Sequence, residues 1–480
     1  MNMLALLFAT PLAAAILSII ARKQRMITLV AVVATALEVV LALLISAKTA
    51  SGSVVALTGS FAAPALSCIV LVTIAVTGFF CALYSSGYFA VEVAKGIVGF
   101  RRVRQYFALV HLFLLAMFVA TLTTAPMIMW IAIELTTLVT AFLVSFYNKP
   151  SAIEAAWKYL IINSVGLLLG FLGTLLFFTC LSDAGTALVT WDTLRAAASH
   201  LNPSIAKISF VLVLIGYGTK VGFVPMHTWK PDVYSKVPTP VAMLFSGPLV
   251  NVALLALLQF KIITDAAIGS AFTGRMLIVF GLASVLLAAC VIFTQWNFKR
   301  LFAYSGIEHA GIMALGFGFG GIGTFAAILH MLYHTLAKSV LFTATGNVFL
   351  KYSSTKIERV RGMLTTLPAT TIVFIAGFLA TVGLPPFGIF FTEFYIVAAG
   401  IGAHPIATAG LILSLAVVFI GFLKQAMRMT FGAPPKGVSA GEGSYATLLP
   451  PMVLLGILFI ASVYLPFGVK AFIETAAASL

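Results

Sequence analysis

Six ionisable side chains stand inside long apolar runs: Glu134, Lys220, His330, His334, Lys338 and Glu393. Lys220 is the centre of the set. Its run ISFVLVLIGYGTKVGFV holds no other charge, and Gly216, Gly218, Gly222 and Pro225 crowd around it, which predicts a broken helix. In a bilayer such a break survives only where protein or a wet cavity satisfies the freed backbone. An ionisable group at that depth is costly and marks function by default. Burial works against a charged lysine and a nearby carboxylate works for it, so a lysine whose partner approaches or leaves is a proton switch.

The other five supply partners of the right chemistry. Glu134, in MIMWIAIELTTLVTAFLVSFY, has no charged neighbour on its own helix. It is either a neutral acid bonded to a hydroxyl such as Thr136 or, the reading favoured here, the partner of Lys220. His330, His334 and Lys338 recur every four residues and share one helical face, where they can pass protons through water. The two histidines alone lack a carboxylate or thiol to complete a metal site. Glu393 follows a second Gly/Pro break, Gly383–Gly388, among Phe390, Phe391, Phe394 and Tyr395. Glu308 and His309 either mark a proton entrance or pair with a loop residue. His227 and Asp232 follow the first break and are candidates for the same entrance. Lys158 is close enough to a surface to snorkel. Glu38 stands alone in the second apolar run, with no role beyond an interhelical contact.

The elements that position these groups follow from composition. The chain has 480 residues, 61% hydrophobic and 9% charged, the profile of an all-α polytopic membrane protein. No polar stretch is long enough for a soluble domain, so residues 1–480 read as a single membrane domain. Fourteen runs approach the ~20 residues a bilayer needs: 2–20, 26–46, 62–86, 105–122, 127–146, 153–180, 206–226, 240–262, 274–294, 301–321, 323–350, 368–400, 405–428 and 446–468. The first reads as a span and not as a removed signal peptide. Residues 47–61 suggest a small hairpin and 190–200 a short amphipathic helix.

The net charge of +15 does not point to nucleic acid, because the basic residues sit in short loops. Twenty of the 28 lysines and arginines fall in one alternate set of loops and six in the other; Lys220 and Lys338 lie within spans. That asymmetry places both termini outside. Cys68, Cys81, Cys180 and Cys290 form no C-x-x-C pair, so the chain offers no iron–sulfur or zinc site. The broken seventh and twelfth helices lie five spans apart and would run in opposite directions. This points to two inverted five-helix repeats, helices 4–8 (105–262) and 9–13 (274–428), with helices 1–3 in 1–104 and helix 14 at 446–468.

On these residues the chain resembles the antiporter-like family, which includes proton-pumping subunits of respiratory complex I, large subunits of Mrp-type sodium/proton antiporters and subunits of group 4 membrane-bound hydrogenases. The matching features are Glu134, Lys220, the P-x-H-T-W-x-P-D run from Pro225 to Asp232, the His334/Lys338 face and the G-L-P-P break at Gly383. The S-G-I-E-H-A-G-I element at 305–312 resembles the F component of hydrogenase-4-type complexes. Two eighth-helix positions where some members carry His or Lys are Ser246 and Asn251 here. The resemblance implies a non-redox, proton-translocating subunit of an oxidoreductase complex in a bacterial or archaeal plasma (inner) membrane. It would carry no cofactor itself, and its partners would be other membrane subunits and a peripheral arm with iron–sulfur clusters and, in a hydrogenase, nickel–iron. The alternatives are an Mrp-type antiporter component and a non-conducting scaffold; the buried lysines argue against the scaffold.

Overall fold

The computed structural model describes residues 2–181 and 188–480. The chain runs through α1 (Met3–Ile20), α2 (Gln24–Ala50), α3 (Ala65–Ala94), α4 (Phe100–Leu122), α5 (Pro126–Val144), α6 (Pro150–Phe177) and the short α7 (Trp191–Ala196). It continues through α8 (Pro203–Val221), α9 (Trp229–Lys236), α10 (Thr239–Ser246), α11 (Pro248–Ile268), α12 (Ser270–Val291), α13 (Phe298–Phe319) and α14 (Ile322–Tyr352). The last elements are α15 (Met363–Thr366), α16 (Pro368–Thr381), α17 (Gly388–Gly400), α18 (Pro405–Thr430), α19 (Tyr445–Val463) and α20 (Phe467–Ala478).

Twelve helical stretches among the described residues are long and apolar enough to cross a membrane, with α8–α9 and α10–α11 each taken as one. The shorter α16 and α17 are the two parts of the expected broken run at 368–400. The expected tenth span, α13, is a continuous helix made less apolar by Lys299, Arg300 and Glu308. Peripheral helices turn large apolar side chains outward, among them Leu29, Phe142, Trp157 and Ile460. That surface suits lipid, which offers no hydrogen bonds and asks for none. The most buried helices include α3, α10–α11, α13 and α14.

Three boundaries differ from the sequence reading. α3 runs on to Ala94, past the expected end near residue 86. The 240–262 run is split, because Gly247 leaves helical geometry and Pro248 starts a new first turn. The 446–468 run stops at Val463, and Pro466 starts α20.

Contacts between loops define two faces. On one, Lys95 donates to the Leu350 carbonyl, Lys351 to the Gly441 carbonyl, and Asn297 bridges to Lys356. These belong to the loops rich in lysine and arginine. On the other, Asn2 donates to Ala56, Trp191 to Thr123, and Lys261 to the terminal residue Leu480. The expected hairpin is there, as paired strands β1 (Ala56–Leu57) and β2 (Phe61–Ala62). So is the short helix α7, capped by Thr190.

Candidate functional site

Lys220 occupies the last turn of α8. Asn202 caps the start of that helix, and Gly222 ends it in the left-handed region at φ 86°. The α8 backbone comes close to α6 along a seam of small residues. A Cβ on Gly216 would overlap the backbone of Gly170, and one on Gly166 would overlap Thr219. This approach sets Tyr159 of α6 against the lysine. Lys220 is fully buried, and its Nζ donates to Thr137 Oγ1 and Tyr159 OH, each at 2.8 Å. The Tyr159 hydroxyl also lies 2.8 Å from Thr140 Oγ1.

Glu134 lies one turn before Thr137 on α5. Its Oε1 accepts from Ser164 at 2.7 Å, and its Oε2 is buried without a hydrogen-bond partner among the described residues. Thr136 turns instead to the Ile133 carbonyl, so Ser164 is the hydroxyl that meets the acid. Glu134 and Lys220 are close enough for their charges to interact, yet no ion pair within 4.0 Å joins them. Separate hydroxyls hold the two groups, Thr137 and Tyr159 the ammonium and Ser164 the carboxylate.

Protein satisfies much of the first break. The amides of Gly222 and Phe223 both donate to the Gly218 carbonyl, Trp229 Nε1 to the Thr219 carbonyl at 2.9 Å, and the Val224 amide to Ser284 at 3.0 Å. Beyond the break, α9 carries Lys230, which sequence reasoning counted with the loop residues. It is fully buried, its Nζ has no hydrogen-bond partner among the described residues, and its stem lies against Gly222. It is close enough to His227, His334 and Lys338 for charges to interact.

The second cluster centres on α14. Lys338 Nζ donates to Ser305 Oγ at 2.8 Å and to the Phe302 carbonyl at 3.3 Å, both on α13. Glu308, 4% exposed, is within charge range of Lys338 and Glu393. Among the described residues the groups near Glu308 are Lys338 and Ser305, both on helices, and no loop residue pairs with it. His309 faces the same interior, its Nδ1 3.0 Å from His330 Nε2. His330 Nδ1 in turn lies 2.8 Å from Thr392 Oγ1, the neighbour of Glu393. His334 packs against His309 with ring centroids 4.8 Å apart, and neither of its nitrogens has a hydrogen-bond partner among the described residues. Glu393 is 7% exposed, and its carboxyl rests on Gly383, which has φ 66°. No group of three His, Cys, Asp or Glu among the described residues is arranged to hold a metal ion.

At the basic face, Lys158, Asp232 and Arg300 line a pocket of about 220 Å³ together with Glu154. Lys158 pairs with Glu154 at 2.6 Å and with Asp232 at 3.7 Å, and Arg300 binds the other Asp232 oxygen. His227 is half-buried nearby, with its Nδ1 unpartnered and its ring centroid 6.4 Å from Tyr304. Glu38 is fully buried and neither oxygen has a partner. Sequence reasoning missed five buried groups: Lys230, Lys261, Lys299, Glu92 and His111. For Lys230 and Glu92 the signal was present, in the P-x-H-T-W-x-P-D run and in the apolar pattern that continues past residue 86.

Membrane-length helices, two of them interrupted beside buried charges, define an antiporter-like membrane subunit. The chain belongs to the NADH:quinone oxidoreductase/Mrp antiporter transmembrane family, which matches residues 124–419, from the start of α5 into α18. It is 36% identical, over 81% of its length and 82% of the relative's, to a hydrogenase-4 component F homolog of Methylacidiphilum infernorum. Its fold is similar to a chain of an archaeal membrane-bound sulfane sulfur reductase, with TM-score 0.87 and 23% identity over 100% of this chain and 98% of that one. It is also similar to a chain of the Mrp complex from Dietzia sp., with TM-score 0.85 and 20% identity over 100% and 96%.

Proposed function

We propose that this chain translocates protons as a membrane subunit of a multisubunit respiratory complex of hydrogenase-4 or complex I type. The observation that carries this reading is a set of interior ionisable groups, Glu134, Lys220, Lys338 and Glu393, with Ser164 on Glu134, Thr137 and Tyr159 on Lys220, Ser305 on Lys338, and a His309–His330–Thr392 chain in the same interior. An inert scaffold has no reason to bury unpaired lysines, because each costs several kcal/mol, ~3 or more at a helix centre.

The chemistry is electrostatic. When a change in a partner subunit draws Glu134 away from Lys220, the ammonium loses its favourable charge and releases its proton. Lys230 and His334 lie toward the receiving cluster, where Lys338 takes the proton and Glu308, His309 and His330 carry it to Glu393. We read α4–α11 and α12–α18 as inverted repeats, because each contains a break whose left-handed glycine meets a buried charge. Electrons would pass through a peripheral arm carrying iron–sulfur clusters, and the basic face would lie inside a plasma membrane with both termini outside.

The test is proton uptake by the assembled complex in vesicles. Lys220→Ala should assemble and abolish uptake, since it removes a buried charge without adding one. Wild-type uptake by that variant would overturn the proposal. The second reading, an Mrp-type antiporter component, follows from the same family membership; it requires uptake to depend on an opposing sodium gradient and not on redox turnover.

A further inference from the structure

The axis above leaves unused a buried acid and a buried lysine near the basic face. Glu92 lies in the last turn of α3 and is fully buried. Its Oε1 accepts from the Tyr147 hydroxyl at 2.8 Å, and that hydroxyl lies 3.2 Å from Tyr88 OH, one turn back on α3. Glu92 Oε2 is buried with no hydrogen-bond partner among the described residues. Lys299, in the first turn of α13, is 3% exposed. Its Nζ donates to the Val237 carbonyl at 3.0 Å and stands 5.3 Å from the Phe349 ring centroid. Glu92 and Lys299 are close enough for their charges to interact, but they form no ion pair within 4.0 Å.

This arrangement suits transfer better than anchorage. A structural salt bridge would close the gap, because breaking a buried pair leaves both charges uncompensated. Buried polar atoms nearly always find a partner, protein or water, and a free carboxylate oxygen beside a separated lysine is a place for water. Both ends of the pair lead somewhere. Tyr147, whose hydroxyl Glu92 accepts from, is half-buried as a residue and is followed by exposed Asn148 and Lys149, so the segment that carries the hydroxyl reaches the basic face. Lys299 lies one turn before Phe302, whose carbonyl accepts from Lys338, and on the same helix as Ser305, which also accepts from Lys338. Six residues of helix separate Lys299 from Ser305, a rise of ~9 Å.

We propose that Glu92, with Tyr147 and Lys299, is a proton-loading site that feeds Lys338 from the basic face, separate from the Asp232 pocket. It rests on the translocation reading above. A proton from bulk water adds to Glu92 Oε2 and passes to the neutral amine of Lys299, restoring the carboxylate. Lys299 then yields it to neutral Lys338 and is itself neutral again. No oxidation or bond exchange other than to hydrogen is involved.

The test uses the assembled complex in vesicles with a pH dye confined to one side, comparing Glu92→Gln, Glu92→Asp, Lys299→Met and Tyr147→Phe with Lys220→Ala. Glu92→Gln and Lys299→Met should slow translocation about tenfold or more. Glu92→Asp should restore a large part of the rate, and the infrared carboxyl signal that appears during turnover should vanish in Glu92→Gln. Wild-type translocation in Glu92→Gln and Lys299→Met, with Lys220→Ala inactive, overturns the loading site and leaves the translocation reading standing. Wild-type translocation in Lys220→Ala overturns the translocation reading, and wild-type translocation in Glu92→Gln and Lys299→Met as well overturns both. If Glu92→Gln fails to assemble, Lys299→Met and Tyr147→Phe decide the question by the same outcomes.

Discussion

Lys230 lies across Gly222 so closely that a Cβ on the glycine would overlap its Cδ and Cε. The second break repeats the contact with the opposite charge, as the Glu393 carboxyl occupies the space a Cβ on Gly383 would need. Both glycines have positive φ, 86° and 66°. Each is therefore required twice, once for the left-handed turn and once for its bare Cα. The two breaks are seats for charge as much as interruptions of a helix.

Lys230→Met tests the first seat. The substitution keeps an unbranched stem on Gly222 and removes the ammonium. Replacing an unpaired buried charge with an apolar group of similar volume should leave stability unchanged or raise it by ~1–4 kcal/mol. Proton translocation should nevertheless fall, because the gap between Lys220 and the Lys338 cluster loses its carrier. Melting temperature and proton uptake of the same preparation check both halves. Wild-type uptake would make Lys230 a bystander.

The hydroxyl bridge at Lys220 makes a graded prediction. Thr137→Val preserves shape and removes one of the two acceptors of the ammonium. Loss of a hydrogen bond to a charged group costs ~1.5–3 kcal/mol, and translocation should slow without stopping. Glu134→Gln should impair translocation more than Thr137→Val and less than Lys220→Ala, since it takes away the charge that favours the ammonium while leaving the lysine in place. A rate for Glu134→Gln equal to wild type would remove the acid from the switch.

The spans were legible because apolar length and loop charge are one-dimensional properties, read without knowing what touches what. Depth was not. Lys230 and Lys299 carry the sign expected of the basic loops, and only the turn of α9 and the start of α13 show that they are inside. Glu92 was hidden by a helix end placed near residue 86, where small and polar residues such as Ser85, Ser86 and Gly87 imitate a loop; α3 continues through them because Gly87 packs on Ala446 and Thr447. Glu134 and Lys220 were legible as relevant to each other, whereas Thr137 comes from α5 and Tyr159 and Ser164 from α6, and only the packing of α5, α6 and α8 brings them to the two charges.

Asp232 joins α9 to both α6 and α13 through Lys158 and Arg300. These side chains are partly exposed, so the ion pairs should be worth little, ~0–1 kcal/mol. Asp232→Asn should therefore change the melting temperature by only a few degrees. If the pocket admits protons, the same variant should slow translocation severalfold. A small stability change with unaltered translocation would assign Asp232 to holding the helices together.

The last prediction concerns Glu393. A proton leaving a buried relay needs an acceptor that can ionise and then release to water. Glu393 follows in sequence Thr392, where the His309–His330–Thr392 chain ends, and it lies beside a break and keeps 7% exposure. Glu393→Gln retains the shape and can still hydrogen-bond, but it cannot ionise. It should block translocation with Glu134 and Lys220 intact, while electron transfer in a peripheral arm continues uncoupled or slowed. Glu393→Lys should retain part of the function, because an amine can also accept and release a proton and its stem can lie on Gly383 as the Lys230 stem lies on Gly222. Turnover and translocation are measured together in both variants. Full coupling in Glu393→Gln would take this carboxyl out of the path and require the proton to leave from His330.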